Sequence, residues 1–340
     1  MFCFVTPNGS VDLTFRQLES PADRQAEAEL LAETAGGKGH NAARTLVALG
    51  NDARALGFAG GWVGSRMAEL LTRDGVDARL TPIAGCNRLF VTIADPHGRR
   101  RVSYHLAGPR VTPSELGELL DEVRRCAHES DIVVIAGAPP PGMDASWLTE
   151  AVRALPKDRC IVDTSGPALL GALAGPPGTV KLNQAELGSL GYAEAKTSLR
   201  GVARAIAVAS ERFEVGDWWI TLGRKGAVVS TGGRLLRARG VTVAMHNTSG
   251  AGDGFLAGML HGRAAGEDVE GQASWAVAAS AAVCEQVAPL PPSPARVAEL
   301  RDEVVIEEIR VSAPRRALTV PGGDRVPLAE MPAHARLLRD

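Results

Sequence analysis

Ile132-Val133-Val134-Ile135-Ala136 is an unbroken apolar run rich in β-branched residues. Such a run fits a strand buried on both faces, as in a parallel sheet covered by helices, and not a half-solvated hairpin. Working outward, comparable short runs occupy residues 2–6, 53–58, 89–94, 101–106, 160–163, 179–182, 218–222 and 227–230. Helical patterns lie between them at 41–49, 65–74, 113–128, 145–155 and 198–210, and Gly50 and Gly75 supply left-handed caps for two of these. Strand–helix alternation of this kind predicts an α/β fold, a mainly parallel sheet with helices on both sides. Two stretches, 10–35 and 80–107, break the alternation. They are more polar, and Arg101-Val102-Ser103-Tyr104-His105-Leu106 alternates as a half-exposed strand does. They are expected to form an antiparallel flap apart from the main sheet. Beyond Ser312, Pro314, Pro321, Pro327 and Pro332 interrupt a segment with little apolar periodicity. One domain over 1–312 and a loosely held extension over 313–340 are therefore expected.

Of the 340 residues, 45% are apolar and 22% charged, which excludes a disordered or collagen-like chain. Lys and Arg number 37 against 39 Asp and Glu, and the net charge of −2 argues against polyanionic nucleic acid or an anionic membrane as partner. Aromatic residues make up 4%, too few for a base-stacking platform. Cys3, Cys86, Cys126, Cys160 and Cys284 are scattered and form no Cys-x-x-Cys pair, which fits a reducing compartment. The N-terminus lacks a basic region before its apolar run, which stops at Pro7, and no run approaches the ~20 apolar residues of a membrane span. A cytoplasmic protein is expected.

The most informative motif is Asn247-Thr248-Ser249-Gly250-Ala251-Gly252-Asp253-Gly254-Phe255, a glycine cluster running into an apolar helix. Gly250 and Gly252 allow a sharp turn, and the backbone N–H groups and helix dipole together favour an anion there. Asp253 reads in two ways: as a base taking the proton of an attacking hydroxyl, or as an acidic residue interacting with the helix dipole. Ala35-Gly36-Gly37-Lys38-Gly39-His40-Asn41 again places glycines before a helix. Here Asn41 reads either as a hydrogen-bonding partner for a polyol or as a helix cap. Lys181-Leu182-Asn183-Gln184-Ala185-Glu186 follows a strand, where ligand-facing groups collect in open α/β sheets. Asn183 and Glu186 could arrange hydrated Mg²⁺, or could form a capping pair at the start of a helix. Thr221-Leu222-Gly223-Arg224-Lys225-Gly226 also follows a strand and is alternatively a plain hairpin turn. Arg88 is a lone cation on the flap, whose default reading is a solvated surface residue.

The sequence has no P-loop, no His-Glu-x-x-His and no zinc spacing among its His residues. Gly57-Phe58-Ala59-Gly60-Gly61-Trp62-Val63-Gly64 does not give Gly-x-Gly-x-x-Gly and reads as a turn.

In their order, Gly-Gly-Lys-Gly-x-Asn near residue 40, Asn-x-x-Glu near 185 and Gly-Ala-Gly-Asp near 252 resemble the PfkB (ribokinase-like) carbohydrate kinases. The likeness spans about residues 2–310. It is nearest the branch of 1-phosphofructokinase, PfkB-type 6-phosphofructokinase and tagatose-6-phosphate kinase, through Thr6-Pro7-Asn8-Gly9-Ser10-Val11-Asp12, Gly108-Pro109 with Glu115-Leu116, Pro139-Pro140-Pro141-Gly142 and Asp163-Thr164-Ser165-Gly166. The resemblance implies a three-layer α/β/α core with a β-sheet lid, built from the two irregular stretches. It implies ATP-dependent phosphorylation of a hexose phosphate such as fructose 1-phosphate, fructose 6-phosphate or tagatose 6-phosphate. The alternatives are a kinase of a free sugar or nucleoside and a non-catalytic sugar or nucleotide sensor. By the same resemblance Asp253 is the base, and the amides of Gly250, Ala251 and Gly252 form the anion hole. Asp12, Gly37, Lys38 and Asn41 would hold the sugar, and Arg88 its phosphate. Lys181, Asn183, Glu186, Thr221, Gly223 and Gly226 would line the ATP phosphates and Mg²⁺, with Glu186 reaching the metal through water. Adenine would lie near Ala276, Ala279 and Ser280, and two copies would pair as a homodimer through the lid. Against the branch pattern, Asn-Pro-Ala becomes Asn8-Gly9-Ser10, a Thr becomes Asn87, Gly-Ser-Leu-Pro-Pro-Gly becomes Gly137-Ala138-Pro139-Pro140-Pro141-Gly142, and Gly254 replaces a small polar residue.

Overall fold

Phe2 and Phe4 of strand β1 (Phe2–Thr6) face one side of a sheet and Cys3 and Val5 the other, and every residue of the strand is buried. The structure is a computed structural model that describes residues 1–18, 26–98 and 100–309. The extension expected over 313–340, and residues 19–25 of the first flap stretch, lie outside the described residues. From β1 the chain runs through β2 (Ser10–Gln17), β3 (Ala28–Gly36), α1 (Lys38–Ala48), β4 (Ala53–Ala59), α2 (Gly61–Arg73), β5 (Asp77–Pro82), β6 (Arg88–Ala94), β7 (Arg101–His105), α3 (Pro113–Glu129) and β8 (Ile132–Ala136). It continues with α4 (Ala145–Arg153), β9 (Cys160–Asp163), α5 (Gly166–Leu173), β10 (Thr179–Asn183), α6 (Gln184–Ser189), α7 (Leu199–Phe213), β11 (Asp217–Thr221), β12 (Ala227–Thr231) and β13 (Arg234–Ala238). The last elements are α8 (Ala251–Ala264), α9 (Val269–Cys284), α10 (Pro294–Arg301) and β14 (Ile306–Glu308).

The main sheet has the order β14-β13-β12-β11-β10-β9-β8-β1-β4-β5. Neighbouring strands from β11 to β5 pair in parallel, while β12, β13 and β14 add an antiparallel edge. The alternation of β1 repeats across the sheet. Ile132 and Val134 join a core with Leu46, Leu70 and Phe255 of α1, α2 and α8, whereas Val133 and Ile135 join Val123, Leu148, Leu169 and Ile206 of α3, α4, α5 and α7. At roughly 1.5–3 kcal/mol for each fully buried large side chain, these two cores hold the helical layers to the sheet. The α/β/α sandwich expected from β8 is thus the architecture observed.

Three strands of the main sheet were not expected. β5, β13 and β14 lie at or beside its edges, where charged residues and short length replace the apolar run. Residues 80–82 accordingly belong to β5 and not to the flap, which begins again at Arg88. The flap is a separate sheet of order β3-β2-β6-β7. Its hairpins β2–β3 and β6–β7 are antiparallel, but its central pair is parallel, from Ser10 opposite Arg88 to Arg16 opposite Ala94. An all-antiparallel flap is corrected for a geometric reason: β2 and β6 each follow a main-sheet strand, β1 and β5, that points the same way. Among the described residues no helix is long and apolar enough to cross a membrane.

Candidate active site

At the N-cap of α8, Gly250 adopts a left-handed φ of 83°, which glycine reaches without a Cβ penalty. Asn247 fixes the approach, since its Oδ1 accepts from Ser249 N at 3.0 Å and its Nδ2 donates to Ser249 O at 2.9 Å. The N-terminal amides of α8 start a helix and so lack the usual intrahelical acceptors, although Ala251 N makes a long 3.4 Å bond to Thr248 O. Asp253 lies buried in this first turn. Asn41 Nδ2 donates to Asp253 Oδ2 at 2.9 Å, which joins the two glycine motifs across one crevice. The cap reading of Asn41 is thereby replaced, because α1 starts at Lys38 with Gly37 at its N-cap and no side chain capping it. Burial pushes the Asp253 carboxyl above its ordinary range, opposed by Lys181 and reinforced by Asp163, while Asn41 and Lys38 also hold it down. A raised carboxyl of this kind is a stronger proton acceptor once ionised.

Asp163, at the carboxyl end of β9, stands beside this pair. Its Oδ2 accepts from Lys181 Nζ at 2.6 Å and its Oδ1 from Lys38 Nζ at 2.8 Å. Burial alone would raise the Asp163 carboxyl, but Lys181 and Lys38 outweigh it and hold the group below its ordinary value. Burial would likewise lower the Lys38 ammonium, yet Asp163 and Glu186 push it above its usual range. Lys181 Nζ also lies against Gly252, where an added Cβ would sit 2.8 Å from it, so the glycine makes room for the ammonium at the helix N-terminus. The structure thus puts Lys38, expected with the sugar, into the same ionic cluster as Lys181. Asp163 was not among the expected site residues. Its signal was an isolated acid ending an apolar strand, Cys160-Ile161-Val162-Asp163, where open α/β sheets gather ligand-facing groups.

Asn183 and Glu186 form the capping pair of α6: Asn183 N donates to Glu186 Oε2 and Glu186 N to Asn183 Oδ1, each at 2.8 Å. Glu186 Oε1 is left for other partners and lies 3.5 Å from Lys38 Nζ. Among the described residues no three His, Cys, Asp or Glu side chains cluster to hold a metal unaided.

The lid side carries the remaining expected residues. Asp12 sits on β2 opposite Thr34 and Phe90, with its carboxyl laid over Gly36 and its Oδ1 accepting from Ser10 Oγ at 2.5 Å. Burial raises the Asp12 pKa to about 6, against the hydrogen bond from Ser10 and the charges of Arg88 and Arg44, while the charge of Asp253 adds to the rise. Gly37 holds a φ of 110° and leads directly into α1. Arg88 is not a free surface residue: its Nε and Nη2 donate to Asn8 O at 3.3 and 3.1 Å, and its guanidinium is half-buried beside Asp12. The departures at 87 and 9 also have physical reasons. Asn87 is a buried clamp, accepting from Gly60 N at 2.7 Å and donating to Phe58 O at 2.9 Å. At Gly9 a Cβ would lie 2.7 Å from both the His40 ring and Met67 Sδ, so the imidazole fills the space a larger residue would need.

Beyond Gly252 opens a cavity of about 590 Å³, lined by Thr221, Gly223, Gly226, Ala251, Val277, Ser280 and Ala281 among others. Residues 221–226 make the hairpin connection between antiparallel β11 and β12, and Thr221, Gly223 and Gly226 of it line the cavity. Ser280 reaches the cavity, but Ala276 and Ala279 do not. Both are fully buried against α8, where a Cβ at Gly258 would meet Ala276 Cα at 2.5 Å and one at Gly254 would meet Ala279 O at 3.2 Å. The same close helix contact accounts for the glycine at 254. The cavity face of α9 is instead Val277, Ser280, Ala281 and Cys284, at helical spacing.

A buried carboxylate facing a helix N-terminus and a lysine, next to a cavity of small-molecule size, is an arrangement suited to phosphoryl transfer. The chain belongs to the pfkB family of carbohydrate kinases, whose profile matches residues 7–296. It is 30% identical over 310 residues to the 1-phosphofructokinase of Rhodobacter capsulatus, spanning 90% of this chain and 97% of that protein. It is 27% identical over 268 residues to the tagatose-6-phosphate kinase of Staphylococcus epidermidis, spanning 77% and 85%. Among solved structures it resembles phosphofructokinase-2 from Escherichia coli in complex with potassium, with a TM-score of 0.82 and 25% identity over 89% of this chain and 98% of that one. The ribokinase-like core and β-sheet lid implied by the sequence motifs agree with this likeness.

Proposed function

We propose that this carbohydrate kinase transfers the γ-phosphoryl group of ATP to a hydroxyl of a hexose phosphate of the fructose 1-phosphate, fructose 6-phosphate or tagatose 6-phosphate type. The observation that carries the reading is the Asn41–Asp253 hydrogen bond, which brings an acceptor-side residue onto a base at the mouth of an anion-binding helix. Asp253 takes the hydroxyl proton as the acceptor oxygen bonds to the γ-phosphorus and the bond to the ADP oxygen breaks. Because phosphoryl transfer depends mainly on alignment and charge neutralisation, Lys181 and the amides of Gly250, Ala251 and Gly252 carry much of the work. Asp12, Gly37 and Asn41 would grip the sugar and Arg88 its existing phosphate. Thr221, Gly223 and Gly226 would border the nucleotide phosphates, with adenine against Val277, Ser280 and Ala281.

Mg²⁺ binds with few protein ligands plus waters and phosphate oxygens, and Glu186 Oε1, outside the capping pair, fits that donor set through water. Such an ion would supply charge neutralisation at the nucleotide phosphates. Leu30, Val102 and Tyr104 are exposed apolar side chains of the lid sheet, which supports pairing of two copies there as a homodimer. Supply of ATP and five free cysteines fit a cytoplasmic enzyme. ADP release measured against the three hexose phosphates, free hexoses and nucleosides tests the reading. Turnover confined to phosphosugars is expected; turnover with free sugars or nucleosides alone overturns the acceptor assignment, and binding without ADP release under any acceptor overturns catalysis.

A further inference from the structure

Ser10 and Asp12 lie two residues apart on β2 and share one face of the strand. Ser10 Oγ donates to Asp12 Oδ1 at 2.5 Å, and both residues are buried. The carboxyl is also closed in from β3, because a Cβ at Gly36 would sit 1.9 Å from Oδ1. Among the described residues no donor meets Oδ2. We infer that Ser10 is a positioning residue for the acceptor: by holding Oδ1 it presents Oδ2 of an ionised Asp12 to a hydroxyl of the sugar.

The inference rests on the proposed reading of Asp12 as a sugar ligand. A hydroxyl bonds a charged acceptor roughly twice as strongly as a neutral one, so the ionisation of Asp12 sets the strength of that grip. Burial drives the carboxyl toward protonation, to a pKa of about 6, and the hydrogen bond from Ser10 is the largest effect opposing it. Arg88 on β6 and Arg44 on α1 oppose it further, and Asp253 on α8 acts with burial. His40, also on α1, is bonded to Gly36 O and held neutral, since burial lowers its pKa to about 4. On α2, Arg66 pairs with Glu33 and Glu69 and Arg73 with Asp74. Without Ser10 the balance tips toward the protonated form, and the sugar is held less well near neutrality.

The test is the pH dependence of the sugar-phosphate KM for the native enzyme, Ser10→Ala and Asp12→Asn, with the best phosphosugar of the panel as probe. The KM of the native enzyme should rise as pH falls through about 6. Ser10→Ala should move that rise upward by about one pH unit, so that the gap in KM approaches about tenfold well below pH 6 and closes by about pH 8.5. Asp12→Asn should bind weakly at every pH and lose the shift. The phosphate of the substrate titrates in the same range, but identically for all variants. If Asp12→Asn loses the dependence while Ser10→Ala leaves its midpoint in place, or weakens the enzyme equally at every pH, the role of Ser10 is overturned. If Asp12→Asn keeps the native KM, it is the reading of Asp12 as a sugar ligand that fails.

Discussion

Asn41 Nδ2 and Asp253 Oδ2 meet at 2.9 Å although 212 residues separate them in the chain. The contact ties the first turn of α1 to the first turn of α8, so two helix N-termini converge on one crevice. One glycine turn enters from the lid strand β3 and the other from the loop bordering the cavity beside Gly252. A carboxylate placed between two regions of positive potential, yet desolvated enough for its pKa to rise, is poised to accept a proton there.

Asp253→Asn should therefore lower kcat by about 10²–10⁴-fold, the usual range for a positioned base, while nucleotide affinity survives. The same variant should be more heat-stable near neutral pH. A carboxyl whose folded pKa is raised carries a penalty that is fully present above that pKa and is relieved as pH falls toward the unfolded value. The stability gain of the variant should accordingly shrink on acidification. Coupled ADP assays, calorimetric nucleotide titration and thermal melts at several pH values check all three points. Near-native turnover would remove the base assignment.

Asp163 should behave in the opposite way. Its carboxyl is held below the ordinary value of 3.8, so its contribution is fully present above the unfolded pKa and lost as pH falls through the lower folded one. Asp163→Ala strands the buried Lys181 ammonium, whereas Lys38 keeps Glu186. A loss of about 3–5 kcal/mol is expected, as when one partner of a buried pair is removed. Urea unfolding from neutral pH down to about pH 3 should show the gap between native and variant closing only at the acid end. A gap under about 1 kcal/mol at neutral pH would mean that the two lysines do not depend on Asp163.

How far the sequence carries these conclusions depends on the residue. β8 is legible because Ile132, Val133, Val134 and Ile135 are apolar on both faces, and the structure buries both. β14 is three residues long and β13 reads Arg234-Leu235-Leu236-Arg237-Ala238, with only two adjacent apolar residues between arginines, so neither carries that signal. The Asn41–Asp253 contact is a long-range event that no local pattern encodes, and only the ordered set of motifs pointed to it. Asp163 is legible as the end of a strand and the start of a branch motif, but nothing near it in sequence announces two lysines from β10 and α1. In α9 the residues from Ala276 to Ala282 are nearly all small, so the sequence offers no polarity to tell its α8-facing side from its cavity side.

Arg88 sits at the start of β6 with two of its nitrogens on Asn8 O, which aims the guanidinium along the loop that leads to Asp12. Loss of a hydrogen bond between charged groups costs about 1.5–3 kcal/mol. Arg88→Ala should thus raise KM for a phosphosugar by about 10–100-fold, and change KM for a free hexose far less. Equal effects on both substrates would assign Arg88 to the loop alone and not to the substrate phosphate.

The two faces of α9 give a paired prediction. Ala281 lines the cavity and is partly exposed, whereas Ala279 is fully buried with its carbonyl 3.2 Å from the position a Cβ at Gly254 would take. A phenyl ring at 281 projects into the space proposed for adenine, so Ala281→Phe should raise KM for ATP by about tenfold or more, as filling a ligand pocket does. Its melting temperature should stay near the native value. Ala279→Phe instead forces α8 and α9 apart where no space exists, an overpacking that costs about 1–3 kcal/mol or more. That variant should melt earlier, with the ATP KM of its folded fraction much closer to native. Thermal melts and ATP saturation curves on both proteins decide the matter. The reverse outcome, a native melt with a raised KM in Ala279→Phe, would put the nucleotide on the alanine face of the helix and remove it from the cavity.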